Sequence, residues 1–182
     1  MNLPNKLSLF RVFMIPVCVF TLLFEDVLPY FNFFALAIFA LASFTDFLDG
    51  HIARKYNLVT TFGKFADPIA DKLLVNMMLL ILSYKHMIPL VCCILMILRD
   101  IVVDGCRMIA AQKGVVVSAG ILGKLKTALQ MFTIIIILLN NLPFEMWYIP
   151  VDEIMIWFTT FISLAGGYSY FMQVKDFIFE SM

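Results

Sequence analysis

Asp46, Asp49, Asp67 and Asp71 stand at fixed intervals in the stretch TDFLDGHIARKYNLVTTFGKFADPIADK, Thr45 to Lys72, of an otherwise strongly apolar chain. A carboxylate at the centre of a membrane helix costs roughly 2.5–3.5 kcal/mol on insertion scales, so four brought together call for a shared cation or ligand. Helical geometry groups them. At about 100° per residue, Asp46, Asp49, Gly50 and Ala53 share one face with Arg54 at its flank, and Gly63, Asp67 and Asp71 form one stripe of a second helix. Each helix then presents two carboxylates across a short turn around Lys55 to Thr61. An oxygen-only donor set of this kind suits Mg2+ or Mn2+ and not zinc, which prefers nitrogen and sulfur. Gly50, Ala53 and Gly63 lack bulk on the same faces, so a large substrate can lie close to backbone, and Arg54 offers a planar fork for a phosphate. Ordinary salt bridges to Arg54, Lys64 and Lys72 would not require the glycines.

The elements that must position these residues are membrane helices. The chain is 63% hydrophobic and 14% charged, against an ordinary charged share of about 25%, which reads as an all-α polytopic membrane protein. Six spans are expected, about Leu7 to Phe24, Tyr30 to Asp49, Asp67 to Tyr84, Ile88 to Met108, Leu125 to Leu142 and Trp147 to Val174, each near the roughly 20 residues a crossing needs. They form one domain, residues 1–182. Pro68 is tolerated best in a first helical turn, so the third helix is expected to bend or begin near Asp67. The opening MNLPNKLSLFR leads into an apolar run without a small-residue cleavage site, which favours a retained first helix.

Charge placement sets the orientation. Lys6 and Arg11 open the first span, Arg54, Lys55, Lys64 and Lys72 surround the second connection, and Arg107, Lys113, Lys124 and Lys126 the fourth. The other connections carry Glu25 and Asp26, Lys85, and Glu145, Asp152 and Glu153. The positive-inside rule then puts both termini and the aspartates on the cytosolic side.

Other conspicuous residues have plainer roles. Cys18, Cys92, Cys93 and Cys106 lie in apolar spans without metal-ligand spacing and read as small core hydrophobes. His51 and His86 lack a second ligand at a useful interval. The many phenylalanines and methionines face lipid and neighbouring helices, and Trp147 and Tyr148 fit an interfacial belt. No internal repeat supports an inverted-repeat transporter.

The run Asp46-x2-Asp49-Gly50-x2-Ala53-Arg54-x8-Gly63-x3-Asp67-x3-Asp71 resembles the signature of the CDP-alcohol phosphotransferase family at all eight fixed positions. The resemblance implies a helical bundle with its active site at the cytosolic side of a bacterial cytoplasmic membrane, usually a homodimer. It also implies that the four aspartates hold one or two divalent cations, Mg2+ or Mn2+, against the diphosphate of a CDP-linked lipid, with Asp71 as general base. Gly50, Ala53, Arg54 and Gly63 would contact the CDP-lipid, and Thr60 stands where relatives often have a helping hydroxyl. Asn5 either contacts the nucleotide or simply starts the first helix.

The opening NLPNKLSLFR and the segment Leu98 to Met131 are similar to bacterial phosphatidylglycerophosphate synthases. That similarity implies CDP-diacylglycerol as donor and glycerol 3-phosphate as acceptor, within membrane lipid and without nucleic acid. Arg107, Lys124 and Lys126 are the candidates for the acceptor phosphate. Lys124 and Lys126 lie about 200° apart on a helix, so one is expected to snorkel to headgroups, as is Lys113. Arg99 either pairs with Asp100 or serves the substrate. Asp104, expected on the face of Arg107, and Ser169 depart from the relatives' pattern. Inositol phosphate, serine or another aminoalcohol remain alternative acceptors, and a cation transporter is the reading outside the family.

Overall fold

The computed structural model describes residues 3–24, 30–55, 60–112, 120–142 and 144–179; within them, the side chains of residues 3–4, 46–55, 61–62, 64–66, 145 and 176–179 fall outside the description. Lys113, Glu25 and Asp26 lie outside the described residues, as does most of the turn expected between Lys55 and Thr61. Six α-helices, and no strand among the described residues, make up the fold. They are α1 (Leu3–Leu23), α2 (Phe31–Lys55), α3 (Thr61–Tyr84), α4 (Leu90–Gln112), α5 (Ile121–Leu138) and α6 (Val151–Phe179), with a 3-10 turn at Phe144–Trp147 before α6. Among the described residues α1, α5 and α6 are long and apolar enough to cross a membrane unaided, and α2 has a shorter apolar run, Phe31–Thr45. Charge-bearing residue types interrupt α3 and α4.

Several helix ends differ from the expected spans, for local reasons. α3 begins at Thr61, six residues before Asp67, because the Thr60 hydroxyl oxygen accepts the Gly63 N–H at 2.9 Å and caps the helix. Pro68 therefore lies inside α3, where its ring withholds one N–H from the helix ladder. α5 stops at Leu138 instead of Leu142. Asn140 and Asn141 take positive φ of 53° and 58°, and their N–H groups turn back to the carbonyls of Ile137 and Ile136. Asparagine tolerates this left-handed closure better than most residues. α6 begins at Val151, so Trp147 and Tyr148 belong to the exposed approach to it.

Contacts divide the chain into two compact units, residues 1–82 and 83–182. In the first unit α1 packs against α2, with Cys18 Sγ 3.5 Å from the Ala35 carbonyl, and runs parallel to α3, which it meets at Met78 Sδ, 3.4 Å from the same sulfur. The buried positions of α1 are Asn5, Ser8, Arg11, Ile15, Cys18 and Leu22, a single stripe of threes and fours. Its inner half is apolar and its first half polar. On α2 the buried positions Asn32, Ala35, Phe39 and Ala42 keep the same spacing of threes and fours.

In the second unit α4 and α6 run parallel, sharing a core of Val103, Cys106, Ala110, Tyr170 and Val174. α5 lies antiparallel to α6, with the hydroxyls of Thr133 and Thr159 2.9 Å apart.

Candidate active site

The second half of the aspartate stretch is held by α1. Thr60 donates its hydroxyl to Asn5 Oδ1 at 2.8 Å while its oxygen caps Gly63, so the start of α3 is tied to the start of α1. Gly63 keeps this junction close. A Cβ there would stand 3.2 Å from Thr60 Oγ1, 3.3 Å from Asn5 Oδ1 and 3.5 Å from Asp67 Oδ2.

One turn further along, Ser8 donates to Asp67 Oδ1 at 2.5 Å, and one turn beyond that Arg11 Nη1 donates to Asp71 Oδ1 at 2.9 Å. Asn5, Ser8 and Arg11 occupy successive turns of α1 and meet Thr60, the cap of α3, then Asp67 and Asp71 along it, as parallel packing requires. The Arg11 side chain is wholly buried, whereas that of Asp71 is 41% exposed. An arginine buried in an apolar helix needs an opposite charge, and Asp71 supplies it. Sequence reasoning missed Ser8 and assigned Arg11 only to orientation. The signal was present as polar residues at positions 5, 8 and 11 of an apolar helix.

Asp46, Asp49, Gly50, Ala53 and Arg54 lie in the last turns of α2, and their side chains lie outside the described residues, as does that of His51. Among the described residues no group of three or more candidate metal ligands comes together. The donor chemistry nevertheless fits a hard divalent cation: Asp67 and Asp71 stand one turn apart on α3, both carboxylates, with no thiol or imidazole on their stripe.

The second unit sorts the basic residues. Lys126 is buried and bonds both oxygens of Asp100, at 2.9 and 2.6 Å. Arg99 Nη1 also donates to Asp100 Oδ1 at 3.0 Å, and Arg99 Nε to the Ser163 carbonyl at 3.0 Å. Arg99 is thus in a structural pair. Gly166 and Gly167 make room for it, since a Cβ at Gly167 would fall 2.8 Å from Arg99 Cγ. Lys124 is exposed, the opposite of Lys126, as their 200° separation dictates. Arg107 is exposed as well, its guanidinium 5.9 Å from the Tyr170 ring centroid, within cation–π range.

Comparison with known proteins identifies the family. A profile described as CDP-alcohol phosphatidyltransferase matches residues 1–165. The CDP-diacylglycerol--glycerol-3-phosphate 3-phosphatidyltransferase of Bacillus subtilis (strain 168) is 39% identical over 182 residues, covering 94% of each chain. The protein of the same name from Rickettsia bellii (strain RML369-C) is 42% identical over 177 residues and 97% of each chain, and that of Pseudomonas fluorescens is 37% identical over 92% of this chain and 84% of its own. The profile spans both units and the whole aspartate stretch, so this all-helical membrane protein belongs to the CDP-alcohol phosphatidyltransferase family, whose members generally use divalent metal ions.

Proposed function

We propose that the chain transfers the phosphatidyl group of CDP-diacylglycerol to glycerol 3-phosphate, releasing CMP and forming phosphatidylglycerol phosphate. The observation that carries the chemistry is the pair Asp67 and Asp71, one turn apart on α3 and each held by a side chain of α1. Relatives that share about two fifths of its residues, over nearly the full length, bear the name of this reaction.

In this reading Asp46, Asp49, Asp67 and Asp71 hold one or two ions, Mg2+ or Mn2+. The bound metal neutralises the diphosphate and the charge that develops as CMP leaves. Gly50, Ala53, Arg54 and Gly63, with Asn5 and Thr60 at the junction of α1 and α3, border the CDP-lipid. Asp71 takes the proton of the acceptor's primary hydroxyl as that oxygen bonds to the lipid-linked phosphorus and the bond to CMP breaks. Its partial exposure keeps a carboxylate edge accessible. Transfer of this kind draws chiefly on alignment and electrostatics, which the fixed spacing serves.

Arg107, Lys124 and Lys126 are the basic residues for the acceptor's phosphate. Exposure favours Arg107 and Lys124, while the engagement of Lys126 with Asp100 favours a supporting role for it. Residues 1–182 act as one catalytic domain in this proposal, as a homodimer in the bacterial cytoplasmic membrane, with both termini and the aspartates cytosolic. The distribution of Lys and Arg supports that orientation.

The deciding assay offers purified protein labelled CDP-diacylglycerol with glycerol 3-phosphate, inositol phosphate or serine in separate reactions. CMP release with glycerol 3-phosphate alone is expected. Release only with serine or only with inositol phosphate assigns the chain to another acceptor.

A further inference from the structure

The two described carboxylates of the site are held by different chemistry. Asp67 accepts a hydrogen bond from the buried Ser8, whose hydroxyl brings no charge of its own. Asp71 accepts a guanidinium from Arg11, which is wholly buried and offsets that charge from the helix-facing side. A divalent cation is drawn to a carboxylate by its charge, and a guanidinium already at 2.9 Å competes for the same oxygen and repels the incoming ion. Ser8 and Arg11 lie three residues apart on α1, as Asp67 and Asp71 lie four apart on α3, so the difference is built into one pair of helices.

We infer that Arg11 is a positioning residue that withholds Oδ1 of Asp71 from the metal, making Asp67 the tighter ligand and keeping Asp71 turned to the acceptor hydroxyl. The inference rests on the proposed reaction and divides the labour between two acids that the sequence motif treats alike. Arg11 touches neither substrate nor the reacting atoms in this assignment; it acts through Asp71. A merely structural arginine has a different signature, because its loss would loosen the site and weaken metal binding.

The test is Mn2+ binding to the full-length protein in detergent, without donor or acceptor, followed by the loss of the free-ion electron paramagnetic resonance signal. Arg11→Gln is expected to bind Mn2+ roughly tenfold more tightly than the wild type, while kcat falls by at least about tenfold and KM for the acceptor moves little. Arg11→Lys keeps the charge but loses the planar fork, so both changes are expected in the same directions and smaller. If Arg11→Gln does not fold, Arg11→Lys carries the decision. In an Asp71→Asn background the tightening by Arg11→Gln is expected to shrink, because the two residues act as a pair. Unchanged or weaker Mn2+ binding in the folded Arg11 variants overturns the assignment, as does full tightening in the Asp71→Asn background. A wild-type protein that binds no Mn2+ overturns the metal-dependent reading and this inference together, whereas wild-type binding with unaltered variants overturns the inference alone.

Discussion

A methyl group at position 63 would lie 3.2 Å from Thr60 Oγ1 and 3.3 Å from Asn5 Oδ1, two atoms hydrogen-bonded to each other, so in Gly63→Ala these side chains must give by a few tenths of an ångström at the expense of their hydrogen bond. A loss of about 1–2 kcal/mol is expected, read as a lower melting temperature in detergent. Thr60→Ala removes the cap itself and is expected to cost about 1 kcal/mol. Asp71 belongs to the same scale but to the chemistry. Asp71→Asn keeps the shape, leaves Arg11 an oxygen to meet and removes the base, so kcat is expected to fall by about 10²–10⁴-fold, measured as CMP release. An unchanged kcat would move the base elsewhere. The intervals between the acids were legible because helical period is a local property. The partners of Asp67 and Asp71 were not, because Ser8 and Arg11 lie some 60 residues away and only the parallel packing of α1 on α3 gives them meaning.

Helices in this protein do two separable jobs. α1 carries an apolar half that packs Cys18 against α2 and α3, and a polar half that holds the acids, which explains why one stripe changes character along its length. In the second unit α4, α5 and α6 are joined by the buried group of Arg99, Asp100, Lys126 and the Ser163 carbonyl. Asp100 is shared by Arg99 and Lys126, so Asp100→Ala takes the carboxylate from both and is expected to destabilise by roughly 3–5 kcal/mol, whereas Lys126→Ala leaves Asp100 paired with Arg99 and is expected to cost less. Replacing both, Asp100→Leu with Lys126→Met, is expected to recover only part of that loss, because Arg99 still loses its carboxylate, as followed by thermal unfolding. Arg107→Ala, with its side chain on the surface, is expected to raise KM for the acceptor and leave melting nearly unchanged. The sequence announced that Lys124 and Lys126 face different ways. Which of them turned inward depended on Asp100, a residue of another helix.

For the molecule as a whole, composition and charge placement lead to predictions that no single contact carries. Chelation by EDTA is expected to abolish CMP release, and Mg2+ or Mn2+ to restore it, without loss of helical content by circular dichroism. A fluorescent protein fused after Met182 in a bacterial host is expected to glow, and alkaline phosphatase fused there to remain inactive, if the Lys- and Arg-rich connections face the cytosol. The reverse pattern would invert the orientation and place the aspartates outside. The six helices themselves could be anticipated from apolar length, although their ends could not. Hydrophobic runs mark where lipid surrounds a helix, whereas caps such as Thr60 and closures such as Asn140–Asn141 mark where its hydrogen bonding stops.

By itself the sequence determined an all-helical membrane chain, two acidic stripes of fixed phase and a family signature, because length, period and spacing are encoded residue by residue. Only the tertiary structure decided what stands behind each acid of α3. A neutral hydroxyl for Asp67 and a buried guanidinium for Asp71 come from the register in which α1 lies along α3, and register between helices is set by packing across the fold rather than by neighbours in the chain.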